Sequence, residues 1–260
     1  MVALARAIGR VMRHNFQLHI AWLPLATPFR LGDYGSWRGG VFIPLGNVVD
    51  DFGLTIDEID GSTIALDFVS KGVILAEVKA QAQGQSLPLA DGEVGLDIQA
   101  KSSNSFVIKA PSLTSRRISN IAAIAAKLKA VRHRNDGPRW RARYKLVTEV
   151  FTGKGVTMLA TTEANTTISI RGKAKSAQQL LGGQADASVS ANKSLGLSFV
   201  GAEGPVALRL VRVANRGAIA SFGDIDIDID DSDLFIAEDS WHENIVDDPE
   251  EADHGASSAH

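Results

Sequence analysis

The chain has 260 residues, with 27 Lys and Arg against 30 Asp and Glu, and it contains no cysteine. This length can bury a full hydrophobic core, and the lack of cysteine excludes disulfides, thiol nucleophiles and cysteine-based zinc sites. The six histidines are scattered without the spacing of a metal site, so we expect neither a metal nor a cofactor.

Charge divides the chain near residue 223. The last basic residue is Arg216, and 14 of the 30 acidic residues lie between Asp224 and Asp253. Residues 1–223 therefore carry 27 basic and 16 acidic residues, a formal charge of +11, while the last 37 residues carry −14. We interpret this as one basic domain, residues 1–223, followed by an acidic C-terminal autoinhibitory tail, residues 224–260.

The first elements predicted in chain order are a basic helix, a strand and a hairpin. Residues 2–14 place apolar side chains at helical spacing, with arginines on the other side that also interrupt any signal-peptide run. Residues 16–25 predict a strand, and residues 29–48 predict a hairpin with Trp37 beside Arg38 near its tip. Trp37 is either an exposed wedge or a ring folded back onto its own hairpin.

The clearest strand pattern lies between residues 74 and 110. Apolar side chains occupy the even positions of residues 74–82, and after a turn the same parity returns and persists over residues 94–110. Two such strands across a turn predict a long amphipathic hairpin. Strands that cross a bilayer need about 9 to 11 residues with this alternation, but half-exposed sheets of soluble proteins show it too.

A basic segment follows the first hairpin. Pro111 and Ser112 open a predicted helix, and the stretch from Arg116 to Lys145 holds ten basic residues and one acid, Asp136. A charge run is usually a solvated helix face, but it also suits nucleic acid or an anionic membrane surface. Because no helix-turn-helix or RNA-recognition pattern accompanies the run, we favour anionic lipid.

A second alternating segment and the tail complete the chain. Residues 185–199 place apolar side chains on odd positions, and their predicted partner lies within residues 145–170. Residues 206–213 predict a further strand. In the tail, Asp and Ile alternate from residue 224 to residue 230, which predicts an edge strand with its acidic side toward the basic domain, and from residue 247 the composition is that of a disordered end.

The order of these elements and three short motifs resemble the pore-forming domain of gasdermins. The motifs are Tyr-Lys-Leu-Val-Thr-Glu-Val at 144–150, Ser-Leu-Gly-Leu-Ser-Phe-Val at 194–200 and Val-Ala-Leu-Arg-Leu-Val-Arg-Val at 206–213. The resemblance covers roughly residues 2–215 and is to the compact bacterial or fungal members, which lack a large repressor domain. Those members often carry a lipid-modified cysteine near the N-terminus, and this chain has none.

The resemblance implies an α+β fold with a twisted, mainly antiparallel central sheet, long amphipathic hairpins and short flanking basic helices. It also implies a latent cytoplasmic monomer that a protease activates by removing the tail. The activated protein would bind anionic membrane lipids, oligomerise and insert hairpins into the inner or plasma membrane as a large pore that kills the cell, as anti-phage defence if the chain is bacterial. The protease is not trypsin-like within the tail, because no basic residue follows Arg216.

The candidate residues fall into three groups, and we expect no catalytic residue because the chain shows no phosphate loop, serine elbow or paired histidine with an acid. The lipid-binding candidates are Arg6, Arg10, Arg13, Trp37, Arg116, Arg117, Lys127, Lys129, Arg132 and Arg134. The membrane-spanning candidates are Ile74, Val78, Val94, Ile98, Val189, Leu195 and Leu197. The tail candidates are Ile225, Ile227, Ile229, Leu234, Phe235 and Trp241.

The main alternative is a soluble nucleic-acid-binding protein with an acidic competitor tail. It accounts for the charge division equally well, but it does not account for the long alternating strands. We therefore expect no nucleic-acid partner.

Overall fold

The computed structural model describes residues 2–21, 28–38, 41–78, 93–133, 138–174, 176–182, 187–213 and 235–236. The helices are α1 Val2–Phe16, α2 Val48–Phe52, α3 Ile121–Ala130, which a 3-10 turn at Val131–His133 extends, and α4 Ala177–Leu181. The strands are β1 His19–Ile20, β2 Asp33–Arg38, β3 Val41–Asn47, β4 Glu58–Val69, β5 Val73–Val78, β6 Glu93–Ala100, β7 Ser105–Ile118, β8 Lys145–Thr161, β9 Thr166–Lys173, β10 Ala187–Ala191, β11 Leu195–Val213 and β12 Phe235–Ile236. The predicted α+β class with mainly antiparallel pairing is confirmed.

Among the described residues, the strands form a large sheet and a small sheet, both antiparallel. In the large sheet β8 lies between β11 and β7, β4 pairs with β7, and the β2–β3 hairpin joins the start of β8. The short strands β1 and β12 both pair with β11. The small sheet has the order β10, β9, β6, β5.

Both sheets are built from the same four stretches of chain. Strand β4 continues into β5, β6 into β7, β8 into β9 and β10 into β11, and the neighbours are the same in each sheet. We call the connecting residues the bend segments; they are residues 70–72, 101–104, 162–165 and 192–194. Each predicted long hairpin therefore exists, but it is folded partway along its length.

The core has three parts. Leu4, Ile8 and Met12 of α1 pack on one face of the large sheet, against Phe106 and Ile108 among others. The opposite face of that sheet packs against the small sheet, where Val107 and Leu159 meet Leu96, Ile98, Ile168 and Ile170, and α4 adds Leu180 and Leu181. A third cluster lies beneath α3 and includes Tyr34, Ile124, Leu128, Trp140 and Leu146.

Three sequence predictions of element boundaries were wrong. Residues 111–118 continue β7 as a strand, so the helix begins only at Ile121. The strand predicted over residues 16–25 is the end of α1 and the two-residue β1, with residues 22–27 outside the described part. Residues 185–199 are not one strand but β10 and the start of β11, which belong to different sheets.

Candidate functional site

The bend segments contain residues whose backbone conformation suits asparagine and glycine. Asn104 and Asn165 have φ of 55° and 56°, and Gly72 has φ of 85°. A left-handed conformation costs most L-residues about 1–2 kcal/mol, but glycine and asparagine adopt it more readily. Single residues in this conformation thus interrupt strands whose flanking sequence favours continued extension.

Hydrogen bonds hold the first hairpin's bend in place. The Ser70 amide donates to the Phe106 carbonyl at 3.0 Å, and the Ser70 hydroxyl accepts from the Phe106 amide at 2.9 Å. The Lys101 amide donates to the Gly72 carbonyl at 3.0 Å. The two bends of this hairpin are therefore bonded to each other and must open together.

The second hairpin uses a similar arrangement. The Thr161 and Thr166 hydroxyls lie 3.0 Å apart, and Thr166 also donates to the Glu163 carbonyl at 2.8 Å. On the facing strand, the Asn192 side-chain oxygen accepts from the Thr167 amide at 2.8 Å, while the Lys193 ammonium donates to the Ala164 carbonyl at 2.7 Å. Lys193, which interrupts the apolar alternation of residues 185–199, thus belongs to the bend.

The alternation of the sequence runs through the bends, but the folded structure divides it between two surfaces. Leu96 and Ile98 face the space between the sheets. Phe106 and Ile108, which have the same even parity, face α1 on the far side of the large sheet. In a straight strand, residues of one parity lie on one face. The common parity therefore corresponds to an extended strand that the folded structure does not contain.

The outer face of the small sheet is polar across its central strands. Arg171 on β9 donates to Asp97 on β6 at 2.8 Å, and Ser169 donates to the same carboxylate oxygen at 2.7 Å. The arginine also lies over Gly95, where a side chain of any size would collide with its guanidinium. Ser188 and Ser190 of β10 are exposed.

The membrane-spanning candidates lie on β5, β6, β10 and the start of β11. Ile98 is buried, and Val94, Val189 and Leu195 pack beside the same core between the sheets. Leu197 packs against the α1 cluster instead. On β5, Ile74 is 42% exposed although Val78 is only 4% exposed. The candidates are thus covered mainly by the large sheet, α4 and α1.

The two edges of the first hairpin do not share one apolar face. Ile74 lies opposite Gln99, and Ala76 lies opposite Asp97. Directly opposed residues of an antiparallel pair project from the same face of the sheet. The even positions of β5 therefore lie on the polar face, whereas the even positions of β6 lie on the buried one. The single apolar face predicted for this hairpin is wrong for the folded state.

The basic candidates of α1 occupy two environments. Arg6 and Arg10 are exposed, while the Arg13 guanidinium lies 5.6 Å from the centre of the Trp37 ring. The Lys145 ammonium lies 5.2 Å from the same ring, and His19 meets it edge-on with ring centroids 5.2 Å apart. Trp37 is therefore not an exposed wedge: it is half-buried and folded back, the second of the two interpretations of the sequence. The contacts of His19 and Lys145 with this ring were not anticipated.

The basic run from Arg116 to Lys145 does not form one surface. Arg116 pairs with Glu58, Arg132 donates to the Val213 carbonyl, and Lys145 is buried. The remaining described members are exposed; they are Arg117, Lys127, Lys129, Arg139, Arg141 and Arg143. Arg134 lies outside the described residues. Because Arg116 and Arg117 are on β7, only Lys127 and Lys129 belong to a helix.

Burial alters the electrostatics of two side chains under α3. It lowers the pKa of Arg132, whose Nε and Nη1 have no hydrogen-bond partner among the described residues. Burial, followed by a hydrogen bond to Asp51, raises the pKa of Tyr34 to about 12. Tyr34 therefore stays neutral at physiological pH, and it packs against Trp140 and Tyr144 with ring centroids 5.6 and 5.4 Å away.

Only a short part of the tail is described. The backbone of Phe235 pairs with Val213, and that of Ile236 pairs with Arg212, at the end of β11. The tail therefore reaches the large sheet close to the carbonyl that Arg132 contacts. The other tail candidates, Ile225, Ile227, Ile229, Leu234 and Trp241, lie outside the described residues, as does the edge strand predicted from residue 224.

A cleft of about 550 Å³ lies beside α2, with Phe29, Leu54 and Ile56 among its lining residues. The charged groups at the cleft are paired, since Arg30 lies 2.9 Å from Asp50 and Arg116 pairs with Glu58. Over the part of the chain that the structure describes, no group of His, Asp or Glu could hold a metal ion. In the same part, no helix is long and apolar enough to span a bilayer.

Comparison with known proteins gives little beyond these observations. No family model matches the sequence, and no curated protein matches it. Among solved structures, the chain is similar to the one titled "Cryo-EM structure of the Gasdermin A3 membrane pore", with 12% identity, 81% of this chain and 89% of that chain covered, and a TM-score of 0.34. At that TM-score, the likeness supports no conclusion about the function of this chain.

Proposed function

We propose that this is a latent pore-forming protein of the gasdermin type. Removal of the acidic tail would let the basic domain bind anionic membranes, oligomerise and insert its two hairpins as strands. The observation that carries the proposal is the folding of four alternating strands at shared bend segments, with the same neighbours on both sides of the bends. A sheet of this kind can lengthen without exchanging strand partners.

The length and the alternation of the four strands support insertion. Straightened, the strands would comprise residues 58–78, 93–118, 145–173 and 187–213. Each exceeds the about 9 to 11 residues that a strand needs to cross a bilayer. Backbone amides and carbonyls in hydrocarbon must all be paired, so inserted strands have to close a ring with strands of other subunits. This requirement is why we propose a homo-oligomer at the membrane.

The charge division supports latency and membrane choice. Exposed basic residues on α1 and α3 suit the anionic surface of a membrane, where each contributes about 1 kcal/mol of attraction. The tail offsets this charge with −14 within the same chain. We propose that the latent form is a cytoplasmic monomer and that a protease, not trypsin-like within the tail, activates it at the inner or plasma membrane. In this proposal the protein has no catalytic activity and its pore kills the cell.

The experiment uses the full chain with a site-specific protease sequence inserted after Gly223. Liposomes loaded with a dye, one set containing phosphatidylserine and one only phosphatidylcholine, are mixed with intact and with cleaved protein. We expect the cleaved protein to release dye from the anionic liposomes and the intact protein to release none. Cleaved protein that leaves the anionic liposomes sealed would overturn the proposal.

A gel-shift measurement on the same cleaved protein tests the alternative function. The exposed basic residues of the segment from Arg116 to Lys145 are common to both hypotheses, so membrane binding alone does not separate them. Binding of DNA or RNA without dye release would favour the nucleic-acid-binding protein. Dye release without a gel shift would favour the pore.

A further inference from the structure

The bend segments of paired strands differ in length, and the difference follows a rule. In the first hairpin, Val69 pairs with Val107 below the bend and Val73 pairs with Ala100 above it. The outer strand thus advances four residues while the inner strand covers seven. The three additional residues of the inner strand lie in the bend and contribute no ladder pairs.

The second hairpin has the same asymmetry. Thr161 pairs with Leu195 below the bend, and Ile168 pairs with Ala191 above it. The inner strand again covers seven residues and the outer strand four. The bends of both hairpins therefore have the shorter strand on the outside.

The two inner strands match each other. Ser105 pairs with Thr161 below the bend and Ala100 pairs with Thr166 above it, so both strands cover five residues. Their register is identical on the two sides, because Glu93 opposite Lys173 continues the same ladder as Arg117 opposite Glu149. The central pair can straighten without any change of register, whereas the outer strands cannot.

We propose that β5 slides by three residues along β6 when the first hairpin extends. This inference rests on the proposed function, since it describes how the hairpin reaches its membrane form. The register of the large sheet, in which Phe68 lies opposite Ile108, would then continue through the former bend. Val78, which faces Gly95 in the folded state, would face Ile98, and Ala76 would face Ala100.

An odd shift also moves β5 to the other face of the sheet. A slip of one or three residues exchanges the two faces of a strand, whereas a slip of two preserves them. In the folded register, Ile74 and Ala76 share a face with Gln99 and Asp97. After the slip, the even positions of β5 join the apolar face of Ile98, and Glu77 joins Gln99 on the polar face. The hairpin becomes amphipathic only in the shifted register.

The second hairpin needs a different shift, and its sequence agrees. The register below its bend, in which Phe199 lies opposite Met158, would move β10 by two residues if it continued upward. Val189 would pass from Ile170 to Ile168, and it would stay on the apolar face. An even shift is required here because the odd positions of β10 already share the apolar face of β9 in the folded state.

The absence of cysteine allows this to be tested with paired cysteines that share one partner, Gln99→Cys. Ile74→Cys is opposite Gln99 in the folded register, Glu77→Cys would be opposite it in the shifted register, and Thr167→Cys is opposite it on β9 in both. A disulfide needs Cα atoms within about 7 Å, and a displacement of three residues along a strand is about 10 Å. Each pair therefore reports one register.

The measurement is disulfide formation under mild oxidation, in the intact full chain and in the cleaved protein on phosphatidylserine liposomes. In the intact protein we expect a bond for Ile74→Cys and for Thr167→Cys, each with Gln99→Cys, and none for Glu77→Cys. On leaking liposomes we expect the bond for Glu77→Cys and for Thr167→Cys. The preformed bond between positions 74 and 99 should block dye release until a reductant is added.

Each outcome decides the inference. Dye release by the oxidised Ile74→Cys and Gln99→Cys protein, or failure of Glu77→Cys to bond on liposomes that do leak, would overturn the slip and leave the pore intact. Absence of dye release from every reduced and cleaved variant would instead overturn the proposed function, and the inference with it.

Discussion

The large sheet and the small sheet share their strands but differ in how they are buried. In the large sheet both faces of β7 are covered, since Phe106 and Ile108 meet α1 while Val107 meets the small sheet. In the small sheet one face is buried, and the other carries Asp97, Ser169 and Arg171. The large sheet is therefore a core in its own right, whereas the small sheet depends on it for cover.

This difference indicates how the two sheets divide the proposed function. The small sheet holds an apolar face and a polar face, the arrangement that a strand needs between lipid and water. The large sheet holds α1 and lies under α3, which carry the exposed basic residues Arg6, Arg10, Lys127 and Lys129. We therefore expect mutations in the two regions to separate membrane binding from pore formation.

The largest effect is expected on the buried face of the small sheet. Val189 faces the core between the sheets, and Ser188 beside it is exposed. A lysine on the lipid side costs about 2–4 kcal/mol near the bilayer midplane. Val189→Lys should reduce dye release about thirtyfold or more, whereas Ser188→Lys should change it little.

Two measurements accompany this comparison. Liposome sedimentation should show that the cleaved Val189→Lys protein still binds, and thermal unfolding of the intact chain should show that it still folds. Equal loss of dye release for both variants would mean that these faces do not separate lipid from water.

The second effect concerns membrane binding by the large sheet's helices. Reversing two exposed cations removes about 2 kcal/mol of attraction to an anionic surface, a change of about thirtyfold in affinity. We expect this for Arg6→Glu with Arg10→Glu and for Lys127→Glu with Lys129→Glu, measured by sedimentation with phosphatidylserine liposomes. Thermal unfolding should change little, because exposed charges contribute little to stability. Unchanged sedimentation of both variants would remove these helices from the membrane surface.

The sequence predicted the small sheet better than the large one, for a physical reason. Strands with one buried face show period-two alternation, as residues 74–78, 94–98 and 187–191 do. The end of β7 does not alternate as clearly, and the apolar spacing from Ile118 to Ile124 predicted a helix over residues that form a strand.

The bends were missed because a single residue makes each of them possible. Asn104 and Asn165 interrupt long strands without a proline or a glycine pair, so the alternation on either side conceals them. The available signal was the polar content of Ser-Ser-Asn at 102–104 and Thr-Glu-Ala-Asn at 162–165. The pairing of the hairpins was predictable, but their register was not, because it depends on how many residues each bend contains.

The third effect should come from these bends. A valine at Asn165 disfavours the left-handed conformation by about 1–2 kcal/mol, while a glycine adopts it freely. Asn165→Val should lower the melting temperature of the intact chain and, after cleavage, speed dye release. Asn165→Gly is the matched control and should do neither. Slower dye release for the valine variant would mean that the bend persists in the membrane form.

The smallest effect is expected for an ion pair of the small sheet that survives extension. Asp97 and Arg171 lie 2.8 Å apart on β6 and β9, the two strands whose register is continuous through the bends. Asp97→Asn should destabilise the intact chain by about 1–2 kcal/mol, since a charged hydrogen bond is weakened. Because the pair would be present before and after extension, the rate of dye release per bound protein should stay unchanged. The matched control is Glu149→Gln, which weakens the 2.9 Å pair with Arg209 in the large sheet. Faster dye release for Asp97→Asn than for Glu149→Gln would mean that β6 and β9 separate during activation, and it would contradict a continuous central pair.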